Sequence, residues 1–488
     1  MTRSRTSSAL ELLLPLRRTD SVPLYRQLEG ELREAVRGGR LAAHAHLPST
    51  RALAAQLGVT RGVVVSAYEQ LTAEGYLVSR PGGSTRVARV SSVSEPLPIP
   101  ADRAFTLDFR PGRPDVNEFP RTAWMRSLRR VLTDAPSDRF SYADGRGMPE
   151  LRTAMAAYLN RARGTRITPQ NLVICAGVAQ GLQLVTQALR DDGARRIGVE
   201  DPWHPEYRRM LEATGLDVVA IPVDQDGVRV DLLDPADVDA VVLTPAHQYP
   251  TGGVLPPGRR AAVVAWADRR DAIVIEDDYD AEFRYDRVPV GAMQGLCADR
   301  VVYAGTASKV LAPGLRLGWL AVPPRLHESV ARAKLAADQG SSALDQLAMA
   351  DFVERGELDR HLRRMRVVYR RRRDALLSAL ERYLPAWRPI GASAGLHVLA
   401  WLPDRCDEAA LVEAAAARGI GIHGVTPMCM LPDSRGGIVF GYGSIDESQI
   451  RQGIAELADI AAQLSDSQPT VADGPSRPTL PGGRSAPP

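Results

Sequence analysis

Of the 61 basic residues in this 488-residue chain only two are lysine, Lys309 and Lys334. A lysine kept against that bias points to a need for its amine, because a guanidinium cannot form a Schiff base. Lys309 lies in VVYAGTASKVLAPGLRLGW, with Thr306 and Ser308 just before it and Arg316 seven residues on. An amine beside hydroxyls and an arginine suits an aldehyde cofactor that carries phosphate. Lys309 would form the imine, and Thr306, Ser308 and Arg316 would hold the phosphate. Lys334 lies on a helical pattern that needs no such explanation.

Upstream, DAIVIEDDYDAEFRY places Asp277, Asp278 and Tyr279 at another strand end. A pyridine cofactor needs a carboxylate at its ring nitrogen and a phenol near its 3-hydroxyl. By themselves the two carboxylates would fit a solvated strand end or a metal pair; beside Lys309 they fit the cofactor. In CAGVAQGLQL, the run Gly177-Val178-Ala179 opens a helix after a strand, and its backbone N–H groups suit a phosphate. Trp203-His204 offers an aromatic cover for the ring, and Tyr142 precedes a glycine turn and a helix.

These residues need a sheet to bring them together. From 106 to about 463, short apolar runs such as NLVICAG, RIGVEDP, VDAVVLTP, DAIVIEDD and DRVVYAGT alternate with amphipathic stretches. That alternation predicts an α/β domain with a mainly parallel sheet and ligands at the carboxyl ends of its strands.

The first 88 residues have a different character. They hold twelve arginines and seven acidic residues, a net +5 in a chain whose total is +3. A basic module on a near-neutral body suggests a polyanion partner. In PLYRQLEGELREAVRGGRL, Leu24, Leu28, Leu32 and Val36 share a helical face. Ser49 or Thr50 caps a second helix running to about Leu57, Gly58 makes a turn, and Thr60 caps a third helix ending near Gly75. GYLVSRPGGSTRVA reads as strand, turn at Pro81-Gly82-Gly83, strand. This is a winged helix-turn-helix. Thr60 and Arg61 take the base-reading place, while Arg51, Arg80 and Arg86 suit phosphate contacts, with Gly82 and Gly83 in the wing.

The predicted organisation is a mobile arm over 1–20, a DNA-binding domain over 21–88, a linker over 89–105, an effector domain over 106–463 and a disordered tail over 464–488. Four scattered cysteines with no C-x-x-C pair argue against a zinc site or disulfide framework and fit a reduced cytoplasm. No apolar run reaches the ~20 residues of a membrane span. The interrupted apolar start does not read as a signal peptide.

Residues 47–77 resemble the GntR family in L-P-S-x-R-x-L-A and the following A-Y-x-x-L-x-x-E-G-Y-L, with Gly62-Val63 where that family often has Asn-Thr. Residues 106–460 resemble fold-type I aminotransferases. EDDYDAEFRY, TPAHQYPTGGVL and YAGTASKVLAPGLRLGW resemble more closely still the MocR subfamily, in which such a domain follows a winged helix. The resemblance implies pyridoxal 5'-phosphate as cofactor, with Lys309 as its imine lysine, Asp277 at the ring nitrogen, Tyr279 at the 3-oxygen and Arg316 at the phosphate. It implies a homodimer in which Tyr142 reaches the partner's phosphate.

The sequence departs from working aminotransferases in four places. Tyr249-Pro250-Thr251-Gly252 replaces Asn-Pro-x-Gly, which leaves His247 or Gln248 as the substitute for the asparagine. His204 stands where a stacking tyrosine is usual. Val178-Ala179 lacks a hydroxyl. Ile438 falls near the place of the carboxylate-gripping arginine, with Arg435 the nearest candidate for an effector contact. The expectation is a transcriptional regulator that responds to pyridoxal phosphate or to an amine condensing with it, with weak or no transaminase activity. The rivals are an active aminotransferase with a fused regulatory module, and a DNA-binding module whose large domain only dimerises.

Overall fold

The computed structural model describes residues 15–79, 84–89, 104–142, 144–285, 290–404, 406–432 and 435–467. The chain divides into two units, Met1–Asp102 and Arg103–Pro488.

In the first unit three helices, Leu24–Arg37, Thr50–Leu57 and Arg61–Ala73, pack on a two-stranded antiparallel wing that pairs Leu77 with Val87 and Val78 with Arg86. Leu28, Leu32, Leu53, Val64, Ala67 and Leu71 form its core, spaced along the helices at the intervals that place side chains on one face. Ser49 caps the second helix by accepting from the Ala52 N–H at 3.2 Å, and Gly58 closes it in the left-handed conformation at φ 62°. Thr60 stands at the N-cap of the third helix, but its side chain makes no capping bond and is exposed. Of the expected arm over residues 1–20, the described part, 15–20, makes contacts with the helices. Leu16 packs against the helical core, and the Arg17 N–H donates to Gln27 Oε1 at 2.8 Å. Arg18 donates to the Gly58 carbonyl at 2.6 Å.

The second unit is built on an eight-stranded sheet. Its four central pairings join Asp217–Asp224, Arg196–Asp201, Ala240–Leu243, Ile273–Asp278 and Val301–Thr306 in parallel. Gly318–Ala321 runs antiparallel between Val301–Thr306 and Leu172–Cys175, and Gly227–Val228 is an antiparallel edge. The strands Leu172–Cys175, Ala240–Leu243, Ile273–Asp278 and Val301–Thr306 are buried at every residue, as a sheet covered on both faces requires. A smaller antiparallel sheet of Arg388–Ile390, His397–Trp401, Gly437–Gly441 and His423–Gly424 follows.

Two boundaries move. The last helix, Glu447–Ser467, runs past the predicted end at 463, with Leu464 packed on the core. At the other end Phe105, assigned to the linker, lies under the Arg110 guanidinium at 4.7 Å. Among the described residues no helix is long and apolar enough to cross a membrane.

Candidate functional site

The carboxyl ends of the parallel strands converge on one cavity. Thr306, Ser308 and Lys309 come from the end of Val301–Thr306, and Asp277, Tyr279 and Asp280 from the end of Ile273–Asp278. Thr244 follows Ala240–Leu243, and Trp203 and His204 follow Arg196–Asp201. Val178 and Ala179 begin the helix after Leu172–Cys175, and Arg316 closes the same end.

The consecutive aspartates have opposite fates because successive side chains of a strand face opposite sides of the sheet. Asp278 points away from the cavity and is locked by Arg163, at 2.8 Å and 3.0 Å, and by the Tyr303 hydroxyl at 2.7 Å. Asp277 faces the cavity. Its Oδ1 is buried without a hydrogen-bond partner. Burial, and then the charge of Asp278, push its carboxyl up to about 8. A buried carboxylate oxygen without a donor is costly unless a ligand supplies one. A protonated pyridine nitrogen is such a donor, so the residue fits the ring end of the expected cofactor.

The Lys309 ammonium donates to the Gly112 carbonyl at 2.6 Å. Burial lowers its pKa, against the pull of Asp280 and Asp277, which favours the neutral amine that a nucleophile needs. Tyr279 donates its hydroxyl to the His247 carbonyl at 3.0 Å and lies 3.2 Å from His247 Nδ1.

At the other end Gly177 takes φ 93° and caps the helix Val178–Asp191. That conformation is open to glycine, and Val178 and Ala179 at the start of the helix line the cavity. Thr306 Oγ1 caps the next short helix through the Ser308 N–H at 3.1 Å and lies 3.0 Å from Ser308 Oγ. Arg316, itself in the left-handed region at φ 50°, donates to the Ala176 carbonyl. A non-glycine residue in that region is strained, here where a guanidinium must meet a helix N-terminus.

An aromatic wall completes the cavity. The His204 ring stacks on Tyr207 with centroids 4.5 Å apart and lies 5.7 Å from Tyr249. Burial, and then the charge of Lys309, push its pKa down to about 4, so it is a neutral ring near pH 7. Sequence reasoning missed Tyr207, although it lies in the same segment as Trp203 and His204. It also missed Asp280, although it follows Tyr279 in the same segment, and His397, Leu396 and Gly112, which come from segments without a local motif.

Two expected effector residues stand elsewhere. Arg435 does not line the cavity: its Nε and Nη2 donate to the Leu402 carbonyl at 3.2 Å and 3.0 Å. His247 lies behind Tyr279, between Asp280 at 3.1 Å and the Gly391 carbonyl at 3.3 Å. Gln248 does not replace the missing asparagine either, because its side chain braces the loop through Thr251, Pro202 and Tyr249. Tyr142 is 92% exposed and borders a separate groove with Asp338–Ser342.

In the first unit Arg51, Thr60, Arg61 and Arg86 are exposed, and Arg61 Nε makes one long contact, 3.4 Å, with Thr50 Oγ1. Arg80, Gly82 and Gly83 lie outside the described residues.

Comparison with known proteins agrees with both halves. Residues 24–87 match the family model of bacterial regulatory proteins of the gntR family, and residues 111–436 match aminotransferase class I and II. The chain is 34% identical over 439 residues to the HTH-type pyridoxine biosynthesis transcriptional regulator PdxR of Corynebacterium glutamicum, covering 89% of this chain and 95% of that protein. It is 32% identical over 479 residues to the probable rhizopine catabolism regulatory protein MocR of Rhizobium meliloti, covering 93% and 97%. Among solved structures, an archaeal alanine:glyoxylate aminotransferase superposes with a TM-score of 0.68 at 27% identity, covering 74% of this chain and 92% of that one. The multiple substrate aminotransferase of Thermococcus profundus gives 0.69 at 26%, covering 75% and 93%. The aminotransferase class I and II domain and these neighbours imply pyridoxal 5'-phosphate as the cofactor. The chain belongs to the MocR subfamily of GntR-family transcriptional regulators, DNA-binding winged helix-turn-helix proteins fused to an aminotransferase-like domain.

Proposed function

We propose that this regulator works in the cytoplasm as a homodimer whose DNA affinity is set by what occupies the cavity at Lys309. The observation that carries the reading is the buried, unpartnered Asp277 oxygen in the cavity that Lys309 lines. Bound there, pyridoxal phosphate supplies an aldehyde that condenses reversibly with primary amines.

The chain's own residues do the rest. Asp277 holds a proton at the ring nitrogen, and Tyr279 orients the 3-oxygen. His204, flanked by Tyr207, covers the ring and keeps water off it. The N–H groups of Gly177, Val178 and Ala179, with Thr306, Ser308 and Arg316, bind the phosphate. Tyr142 reaches the neighbouring protomer's phosphate. Arg435, held at Leu402, cannot orient a substrate carboxylate from there, so transamination stays weak.

An occupant changes DNA affinity only if it binds the DNA-competent and incompetent states differently. Thr60 and Arg61 read base edges, and Arg51, Arg80 and Arg86 with the Gly82-Gly83 wing follow the phosphates. The test of the cavity assignment is the visible spectrum. Wild type with pyridoxal phosphate gains an imine band that borohydride traps, and Lys309→Ala lacks it. A band retained by Lys309→Ala rejects the assignment.

A further inference from the structure

The second lysine also has a reason to be a lysine. Lys334, on the helix Pro324–Asp338, is fully buried. Its ammonium pairs with Asp338 one turn on, and donates to Ser341 Oγ at 2.8 Å and Gln180 Oε1 at 3.2 Å. Three donors thus meet three acceptors in different directions, which a compact ammonium can do and a planar guanidinium fork cannot.

Gln180 is the third residue of the helix that starts at Val178. Its Oε1 also accepts the Ala176 N–H at 2.8 Å, and its Nε2 donates to Asp338 at 2.9 Å. This resembles half of a capping box, in which the third helical residue reaches back to hold the entering chain. The Ala176 carbonyl in turn accepts from Arg316. A continuous run of hydrogen bonds therefore leads from Lys334 through Gln180 and Ala176 to the cavity arginine.

We propose that Lys334, acting through Gln180, is a positioning residue for the phosphate end of the cavity. It rests on the reading of that end as the phosphate site. The Gln180 carbonyl oxygen fixes Ala176 on its N–H side while Arg316 binds its carbonyl side. Gly177 is thereby set with its following N–H groups and the Arg316 guanidinium aimed at one point. A buried ammonium is tolerated only when its partners are all in place, so the clamp has one well-defined arrangement. Removing Lys334 frees Gln180 and Asp338 to re-pair, and the loop before Gly177 loses its anchor.

The test compares full-length wild type, Gln180→Met and Lys334→Met in absorbance titrations with pyridoxal phosphate and with pyridoxal, which lacks the phosphate. Both variants should lose about tenfold of the wild-type preference for the phosphorylated form, the equivalent of one charge-assisted hydrogen bond, with pyridoxal affinity unchanged. Gln180→Met leaves the Lys334–Asp338 pair in place, so it keeps the test open if Lys334→Met does not fold. A Gln180→Met protein that keeps the full preference, or that loses both ligands equally, overturns the clamp while leaving the site assignment intact. A wild type with no preference overturns the placement of the phosphate, and the clamp with it.

Discussion

The winged helix and the cavity use charged side chains in opposite ways. In the winged helix the candidate DNA contacts are exposed and barely held: Arg61 has one long contact and Thr60 makes no cap. In the cavity the carboxylates Asp277 and Asp280 are buried and Lys309 is half-buried, while Arg316 is exposed but held by the Ala176 carbonyl. Asp278 is locked by Arg163 and Tyr303, while Asp277 alone is left without a donor. The contrast follows from the ligands. A polyanion binds through counterion release and tolerates loose side chains. A small polar molecule gains affinity by completing hydrogen bonds that the protein has left open in a dry site.

The largest expected effect tests the buried half. Asp277→Asn should weaken pyridoxal phosphate binding by about 100-fold, as loss of a buried charge-assisted bond implies. The same change should stabilise the cofactor-free protein. The Asp277 carboxyl titrates near 8 when folded, against an ordinary value of 3.8, so the folded chain binds the extra proton between those values. Wild-type stability therefore falls as pH rises through that window, at up to ~1.4 kcal/mol per pH unit. Thermal melts should show Asp277→Asn gaining on wild type from pH 5 to pH 8. A constant difference across that range would mean that Asp277 is already ionised in the empty cavity.

Arg61→Ala sharpens the exposed half. It should reduce operator affinity by ~1–3 kcal/mol and relax sequence preference, read by gel shift on specific and scrambled duplexes. Arg86→Ala should weaken both duplexes alike and lower the salt slope by about 1. Equal, sequence-independent losses from both variants would remove the third helix as the base reader. The smallest effect is structural. Ser49→Ala should destabilise the winged helix by about 1 kcal/mol through the lost cap, measured by denaturant melts.

Legibility in the sequence followed the same divide. Lys309, Asp277, Tyr279 and Thr306 reach the cavity from continuous segments at strand ends, where the apolar run itself marks the position, and Arg316 reaches it from the turn before the next strand. Which of Asp277 and Asp278 faces the ligand follows from strand alternation once the register is known. His397 and Gly112 were not readable, because separate strands and loops far apart in the chain bring them to the cavity. Arg435 failed as an effector contact for a local reason: the Leu402 carbonyl on the neighbouring chain segment captures its guanidinium, and no pattern in GGIVFGYGSI reveals that bond. The helix ending at Ser467 outran its predicted end because Leu464 still finds the core, although the sequence around it turns polar.

The central claim is that the buried site governs the exposed one. Operator affinity measured against pyridoxal phosphate concentration, for full-length wild type and Lys309→Ala, tests it most directly. Wild-type affinity should change with cofactor, typically 5–150-fold for an allosteric coupling. Lys309→Ala, whose reading helix is intact, should still bind the operator but with an affinity that no longer moves. Wild-type affinity that stays flat across cofactor concentrations saturating the imine band would contradict the claim.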